Sequence, residues 1–543
     1  MTFALGLEHA VAIVSCILCF VYLYRKTKSD LEHGPEFLTR LAAVGIRNER
    51  LAWVRATIRS LFDSKKWVSE GYARYSKSNI PFIIPSIERG PTIIVPPRQL
   101  KGVYGLPENV LDVHATQDQT LQSRWTIWDK EVANFGIHIS VIRHQLTRNL
   151  EILTPTIAAE LELGFKRWWG TGKDWKEIAV WDTCLKLIAG AANSAFCGKP
   201  LCRDAEFLNM VRDHAMAMFG GAIAINATPK PFKALSGVVI GLLCHILFRR
   251  TLKKCLPFIR ERLDNTAKLR TDPTYSWTPP SDGLQWIIDE CHASGNPAHL
   301  SPERVCHRLL LVNDISMHST SFTVHNVILD LASVDESTGY IEALREECRT
   351  VLQEAGGTWT FDAVKKLKLV DSAIRESMRL TPFASTGLPR TVAHPDGIQL
   401  ENATASIPSG TVLSVPIEAI HHDEDLYPNP GQFEAFRFSR PLKLGNVLNG
   451  FPKDGEVERA QTDTSKSSAT LDDAFLGFGF GKHACPGRFF ALNEMKMFVA
   501  YMLLNYDLEH IKRRPKLIDL MWLKLPFHDG RVRVRRRDTS NVA

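Results

Sequence analysis

What the chain lacks narrows its function first. No basic stripe interleaved with aromatics runs through it. Lys and Arg number 66 against 59 Asp and Glu, and the resulting excess of +7 is diffuse. That distribution argues against a nucleic-acid surface and suits a membrane surface or an acidic partner protein. Paired cysteines are scarce. Of 11 cysteines, only Cys16 and Cys19 form a C-x-x-C, and both lie inside an apolar run. Neither zinc-ligand spacing nor a small disulfide scaffold is visible, which points to buried free thiols and a reducing compartment for the main body. No repeat recurs at solenoid periods, and no glycine-rich dinucleotide motif stands between a strand and a helix.

Long apolar runs are few, and each is informative. Residues 3–24, FALGLEHAVAIVSCILCFVYLY, are almost entirely apolar and are followed by Arg25, Lys26 and Lys28. About 20 such residues span a bilayer. No basic segment precedes the run and no clear small-x-small site follows it, which argues against a cleaved signal peptide. The cations after it place the following domain in the cytosol by the positive-inside rule. The expected division is an anchor over 1–24, a basic linker over 25–35 and the main domain over 36–543. A second stretch, LSGVVIGLLCHILF at 235–248, is followed by RRTLKK. It is too short to span comfortably, and reads either as a buried core helix or as a surface helix dipping into a bilayer interface.

The rest is helix-rich. IPFIIP and TIIVPP, within residues 80–104, read as short strands bounded by prolines. From about 140 to 350 the apolar spacing is helical, and IEALREECRTVLQEAGG is a clean amphipathic helix stopped by Gly356-Gly357. LPRTV, GIQL and IPSGTVLSV have strand-and-turn character. Residues 440–472 read as a long polar surface loop, and VRVRRR as a last strand with a basic face. The expected fold class is mainly α with a smaller β region, preceded by one N-terminal transmembrane helix.

Chemistry concentrates near the C-terminus in FGFGKHACPGRFFALNEMK, residues 478–496. Gly479, Gly481 and Gly487 remove side chains, so backbone there can lie flat against a large planar group. Pro486 suits a first helical turn. A helix beginning here places Cys485 at its N-terminus, where free N–H groups stabilise a thiolate. A stabilised thiolate beside a planar partner means haem iron, on which thiolate ligation favours O–O cleavage.

FGFGKHACPG closely resembles the haem-binding signature of the cytochrome P-450 superfamily, with Phe478, Gly481, His483, Cys485 and Gly487 at its fixed positions. The resemblance covers most of the chain after the anchor. It implies the cytochrome P-450 fold, haem b as cofactor and Cys485 as axial ligand of the iron. It places His483 and Arg390, in LPRTV, at positions that usually meet the haem propionates; an exposed strand arginine is the alternative for Arg390. In VDSAIRESMRL, Glu376 and Arg379 share a helix face. The resemblance adds Arg437, in NPGQFEAFRF, as the third member of a structural lock beneath the haem. It sets LLLVNDISMHSTSFTVHNVILDL over the distal haem face. There the acid position of the family pattern is His318 and the alcohol position Ser319, with Thr320 next. These three are the candidates for proton delivery. His318 reads either as a shuttle or as a hydrogen-bonded helix histidine, and Ser and Thr also bond to carbonyls one turn back. FASTGL, at 383–388, is expected to line the substrate pocket. Trp125 and Trp128 have no basic residue four positions later and take no role.

The expected protein is therefore a haem-thiolate monooxygenase, its catalytic domain over 36–543, anchored to the endoplasmic reticulum and facing the cytosol. It is expected to act on a hydrophobic small molecule with O₂ and electrons from NADPH. LREE, GGTWT and KLVDSAIRESMRL look most like fungal enzymes of terpenoid secondary metabolism, of the ent-kaurene oxidase kind. With no flavin domain in the chain, a separate NADPH-cytochrome P-450 reductase is implied, and Lys482, Arg488 and Lys496 flank the ligand loop where it would dock. Membrane lipid is a further expected partner and nucleic acid is not. The alternatives are a haem-thiolate isomerase or dehydratase that consumes no O₂, a haem-binding sensor, and a cysteine hydrolase.

Overall fold

The structure is a computed structural model that describes residues 40–439, 466–526 and 530–538. The expected anchor and linker, and most of the 440–472 loop, lie outside the described residues. The chain divides into two units, residues up to Val113 with Pro389–Pro416, and His114–Leu388 with Ile417 onward.

In the first unit, helix α1 (Ala52–Arg74) buries Ala56, Ser60, Ser64, Trp67, Val68 and Gly71, a single stripe at helical spacing. Gly71 is required by contact, since a Cβ there would lie 2.1 Å from the Phe82 ring. The sheet contains β1 (Ala42–Ala43), β2 (Phe82–Ile84), β3 (Thr92–Ile94), β4 (Leu111–Asp112), β6 (Gly387–Val392) and β7 (Val412–Val415), in the order β1-β2-β3-β7-β6-β4. β2 and β3 are antiparallel with Ile83 opposite Ile93, while β3 and β7 are parallel with Ile93 opposite Leu413. FII and TII are buried at every position, so they read as continuous apolar runs rather than alternating ones. Prolines bound both, as expected. GIQL forms no strand; it supplies one isolated bridge, Ile398 to Ile407.

The second unit holds β5 (Lys176–Ala179) and the helices α2 (Leu150–Trp168), α3 (Val180–Phe196), α4 (Ala205–Ala227), α5 (Lys233–Thr271), α6 (Gly283–Ala293), α7 (Pro302–Ser333), α8 (Tyr340–Glu354), α9 (Lys368–Leu380) and α10 (Arg488–Asn505). α7 is the spine. Ser301 caps it by accepting from the Arg304 N–H, Pro302 opens its first turn, and almost every residue from Val305 to Ala332 is buried except a short window around Ile315. α3 packs between α2 and α7, and α10 rests on α2, α7, α8 and α9. Buried amides tie these contacts: Asn193 donates to Asn313 at 2.7 Å, and Asn493 to Thr154 at 3.1 Å. α9 is capped from outside. Its first three N–H groups, at Lys368, Leu369 and Val370, donate to the carboxylate of Glu347 on α8 at 2.7–2.9 Å. The remaining strands are β8 (Tyr506–Leu508), β9 (Ile518–Leu520), β10 (Leu523–Leu525) and β11 (Arg531–Arg536). β11 buries Val532 and Val534 and exposes Arg531, Arg533 and Arg535, the basic face its alternation predicts.

One expectation is corrected here. Residues 466–472, read as solvated loop, are partly core. Ser468 is fully buried and bonds to Asp371 at 2.5 Å, because α9 turns that carboxylate inward and a neighbouring loop must satisfy it.

Candidate active site

Residues 476–487 form a tight loop ahead of α10. The Cys485 N–H donates to the Phe478 carbonyl at 2.8 Å and the Ala484 N–H to Gly481 at 3.1 Å. Two glycines are obligatory by conformation, with φ of +83° at Gly479 and +65° at Gly481. Gly479 is also crowded: a Cβ there would stand 3.4 Å from both the Ala484 backbone and the Leu388 side chain. Phe478 packs against the main core, His483 ends a 3₁₀ turn over Gly481–His483, and Gly487 immediately precedes α10. The helix starts at Arg488 rather than at Pro486, so Cys485 sits three residues ahead of it. Of the nine described cysteines, eight are buried and Cys485 alone is half-buried.

The expected thiolate is not stabilised by the helix end alone. Burial pushes the Cys485 thiol up, and the Gly487 N–H and the Arg488 charge only partly oppose it. A bound cation is what such a thiol needs in order to ionise. A soft sulfur ligand, on a half-buried residue of a glycine-shaped loop, is a donor set that fits a haem iron.

Beneath the loop, the structure brings Glu376, Arg379 and Arg437 together. Arg379 holds Glu376 through Nε at 2.7 Å and a terminal nitrogen at 2.9 Å, and donates to the carbonyls of His421 and Pro430. Arg437 Nε bisects the same carboxylate, 3.0 Å from each oxygen, and the Glu434 N–H adds a bond at 3.1 Å. Glu376 and Arg379 are wholly buried. The carboxylate therefore meets the requirement for a buried ion pair, hydrogen bonds on every lone pair.

The candidate proton-delivery residues part company. Ser319 is exposed and lies one turn after Ile315, itself 40% exposed, within an otherwise buried helix. Thr320 is buried. His318 turns sideways between two rings, 6.4 Å from Trp181 and 5.8 Å from Phe219. Burial drives its pKa down to about 4, so it is neutral at pH 7. Of the two readings of His318, apolar packing weighs against a shuttle near its ordinary pKa and favours a helix histidine. Phe383, from FASTGL, is 46% exposed and meets Phe322 of α7 edge-on at 5.3 Å. Arg390 belongs to the first unit, where it is buried with its guanidinium 5.4 Å above the Tyr104 ring. That corrects the alternative of an exposed strand arginine.

Lys496, expected beside the loop at the surface, is instead buried and paired with Asp371 at 3.0 Å. α10 is buried all round at this point, Met495 and Met497 included, so Lys496 faces the interior. Sequence reasoning also missed three features. Arg143 is exposed one residue from Ile142, which lies 3.4 Å from where a Gly487 Cβ would be. A search for tryptophan before the basic residue passed over it. His214 and Asp314 form a buried pair at 3.0 Å, 100 residues apart with no motif between them. Glu494 is fully buried on α10 with neither carboxylate oxygen bonded among the described residues.

Comparison with known proteins agrees with this geometry. The family model described as Cytochrome P450 matches residues 218–534. The chain is 46% identical to the cytochrome P450 monooxygenase okaG of Penicillium ochrochloron, over 91% of this chain and 93% of that protein. It is 33% identical to gloP of Glarea lozoyensis over 92% of each, and 33% identical to htyF of Aspergillus rugulosus over 96% of this chain and 75% of the relative; both are named cytochrome P450 monooxygenases. A helix-rich fold with one half-buried cysteine on a glycine-shaped loop, matched by these relatives over nine-tenths of its length, belongs to the cytochrome P450 family, whose members are haem b oxidoreductases.

Proposed function

We propose that the chain is a membrane-anchored haem-thiolate monooxygenase of fungal secondary metabolism, acting on a hydrophobic small molecule. The observation that carries this reading is Cys485, the one described cysteine that is not buried, held on a loop whose shape requires glycine. Haem, when bound, supplies the redox chemistry: O₂, two electrons and two protons are converted to one water and one oxygen atom inserted into substrate. The chain's own residues do the rest. Cys485 would supply the thiolate that holds the haem iron, and Phe478, Gly481 and Gly487 shape its loop. His483 and Arg390 are assigned to the propionates, and Arg143 joins them as a cation near the ligand loop. Glu376, Arg379 and Arg437 lock the segment that follows α9. Ser319 is assigned to proton delivery because its hydroxyl alone of the three candidates is exposed; it bonds weakly back to the Ile315 and Ser316 carbonyls at 3.4 and 3.3 Å, which leaves it free to reorient. Thr320 and His318 support the helix.

Ile315 and Phe383 offer apolar surface on α7 and beside it, which supports a hydrophobic substrate. The motif likeness noted above makes terpenoid precursors the first class to try. A separate NADPH-dependent reductase supplies electrons. Residues 1–24 are assigned to a single-pass anchor in the endoplasmic reticulum, with the catalytic domain cytosolic; the run of apolar residues ending at Arg25 and Lys26 supports this.

The test is expression beside a reductase in a host fed terpenoid precursors, with products identified by mass and O₂ and NADPH consumption followed together. One oxygen atom gained per NADPH is the expected result. Product formed without O₂ uptake would overturn monooxygenation. Cys485→Ala is expected to abolish the thiolate-type carbonyl spectrum of the reduced haem protein, and a retained spectrum would overturn the ligand assignment.

A further inference from the structure

Among the described residues the largest wholly buried side chains include three arginines, Arg308, Arg375 and Arg379. Two of them face carboxylates: Arg379 bonds to Glu376, and Arg375 lies 3.7 Å from Asp472. Arg308, on α7, has no carboxylate at ion-pairing distance among the described residues. Asp129, whose charge reaches it through space, is taken by Arg304 at 2.8 Å.

The groups that Arg308 does touch are neutral. One terminal nitrogen donates to His299 Nδ1 at 2.9 Å, and the other reaches the His299 carbonyl at 3.4 Å and the Cys291 sulfur at 3.8 Å. Because Nδ1 accepts, the His299 proton sits on Nε2 and the ring is uncharged. Burial pushes the Cys291 thiol up to about 11, so it is no thiolate at pH 7. The Arg308 Nε has no hydrogen-bond partner among the described residues. A guanidinium stays charged even when buried, and a buried charge without an opposite one is strongly destabilising.

The surroundings add to the positive potential. Arg308 stands in the second turn of α7, one turn after Arg304, near the helix end whose dipole already favours negative charge. His138 belongs to a short helix, Ile137–Ser140, that packs on α6 and α7. It is buried, and its Nδ1 also has no partner among the described residues. Burial, and after it the Arg308 charge, drives its pKa down to about 4. Burial above all takes the neighbouring His307 down to about 3. Both rings are neutral at pH 7 and cancel nothing.

We propose that Arg308 and His138 bind a small inorganic anion of the halide class, chloride in the cell, where the helix Ile137–Ser140, α6, the 3₁₀ turn Pro297–Leu300 and α7 meet. Arg308 donates through Nε and His138 through Nδ1. A carboxylate or phosphate takes the paired donors of a guanidinium fork, and here both terminal nitrogens are already turned to His299 and Cys291. Single donors from two side chains suit a spherical ion. The site supplies the missing counter-charge and ties the start of α7 to its neighbours. It takes no part in the reaction and stands whether or not the proposed function does.

The test uses the full chain with haem bound. Crystals grown in bromide are expected to show an anomalous scattering peak within hydrogen-bonding reach of Arg308 Nε and His138 Nδ1, and a map without that peak would overturn the proposal. In solution, replacing gluconate by chloride at constant ionic strength and pH 7 should raise the apparent melting midpoint by about 1–3 °C, with the haem spectrum unchanged. Arg308→Met keeps the length and removes the charge, and should melt alike in both salts. With no anion present, losing an unopposed guanidinium is stabilising, so Arg308→Met is expected to melt above the parent in gluconate and the gap to narrow in chloride. An unresponsive parent, or an equal chloride response in Arg308→Met, would overturn the proposal. If Arg308→Met does not fold, the bromide map of the parent decides alone.

Discussion

Among single residues, environment decides chemistry more than identity does. Two neighbours on α7, His318 and Ser319, are both able to carry protons, but one is pinned between rings and the other is open. Ser319→Ala is therefore expected to slow turnover by about 10²-fold and to lower product formed per NADPH consumed. His318→Phe should leave the shape of the rate–pH profile unchanged around neutrality, because a ring with pKa about 4 does not titrate there. Steady-state rates with product quantified alongside NADPH check both. Glu494 gives a pH-dependent stability. Burial raises its carboxyl from 4.5 to about 8. The folded state then binds the extra proton, so stability falls as pH rises from about 4.5 through about 8 and levels off above. Glu494→Gln should remove that fall and raise stability at pH 7 by roughly 3 kcal/mol, read from denaturant melts across pH. The ligand motif was legible because its ten residues act through their own backbone. Glu494 and Lys496 were not: periodicity on an apolar helix does not say which polar residue turns inward, and Lys496 was read as surface for that reason.

The helices and strands followed local signals closely. Prolines delimit β2 and β3, Gly356 and Gly357 end the amphipathic helix α8, and Ser301-Pro302 opens α7. Where local signals were absent, tertiary contacts decided. GIQL lost its strand, and residues 466–472 gained buried partners in α9. The Glu376 and Arg379 spacing was visible in sequence, but the bonds from Arg379 to the His421 and Pro430 carbonyls were not. They explain why removing one partner is costly. Glu376→Ala leaves two buried guanidinium groups facing each other, and about 3–5 kcal/mol of stability is expected to go, measured as a lowered denaturation midpoint with parallel loss of haem retention. Arg379→Lys should recover little, since a lysine cannot hold the carboxylate and two carbonyls at once.

At the scale of the molecule, the class was legible from composition and one motif, and the setting of the second apolar stretch was only half legible. The 235–248 stretch left two readings open, a buried core helix or a surface helix, and the structure shows why: one face of α5 is buried and the other exposed. Electron supply is the other whole-molecule question. With Lys496 turned inward and Arg488 half-buried against the Cys485 carbonyl at 3.1 Å, Lys482 is the exposed cation left on the ligand loop. Lys482→Glu is expected to raise the reductase concentration needed for half-maximal turnover severalfold without changing haem content, and added salt should do the same to the parent protein. Titrating reductase at fixed substrate checks this.

The glycine seam on α5 has a mechanical consequence. A Cβ at Gly237 would fall 2.5 Å from the Trp125 ring, and one at Gly241 2.9 Å from the Trp125 carbonyl. With nothing soft between them, helix and indole are in rigid register. Any rocking of α5 would therefore be transmitted directly to the short helix Ser123–Thr126 that carries this tryptophan.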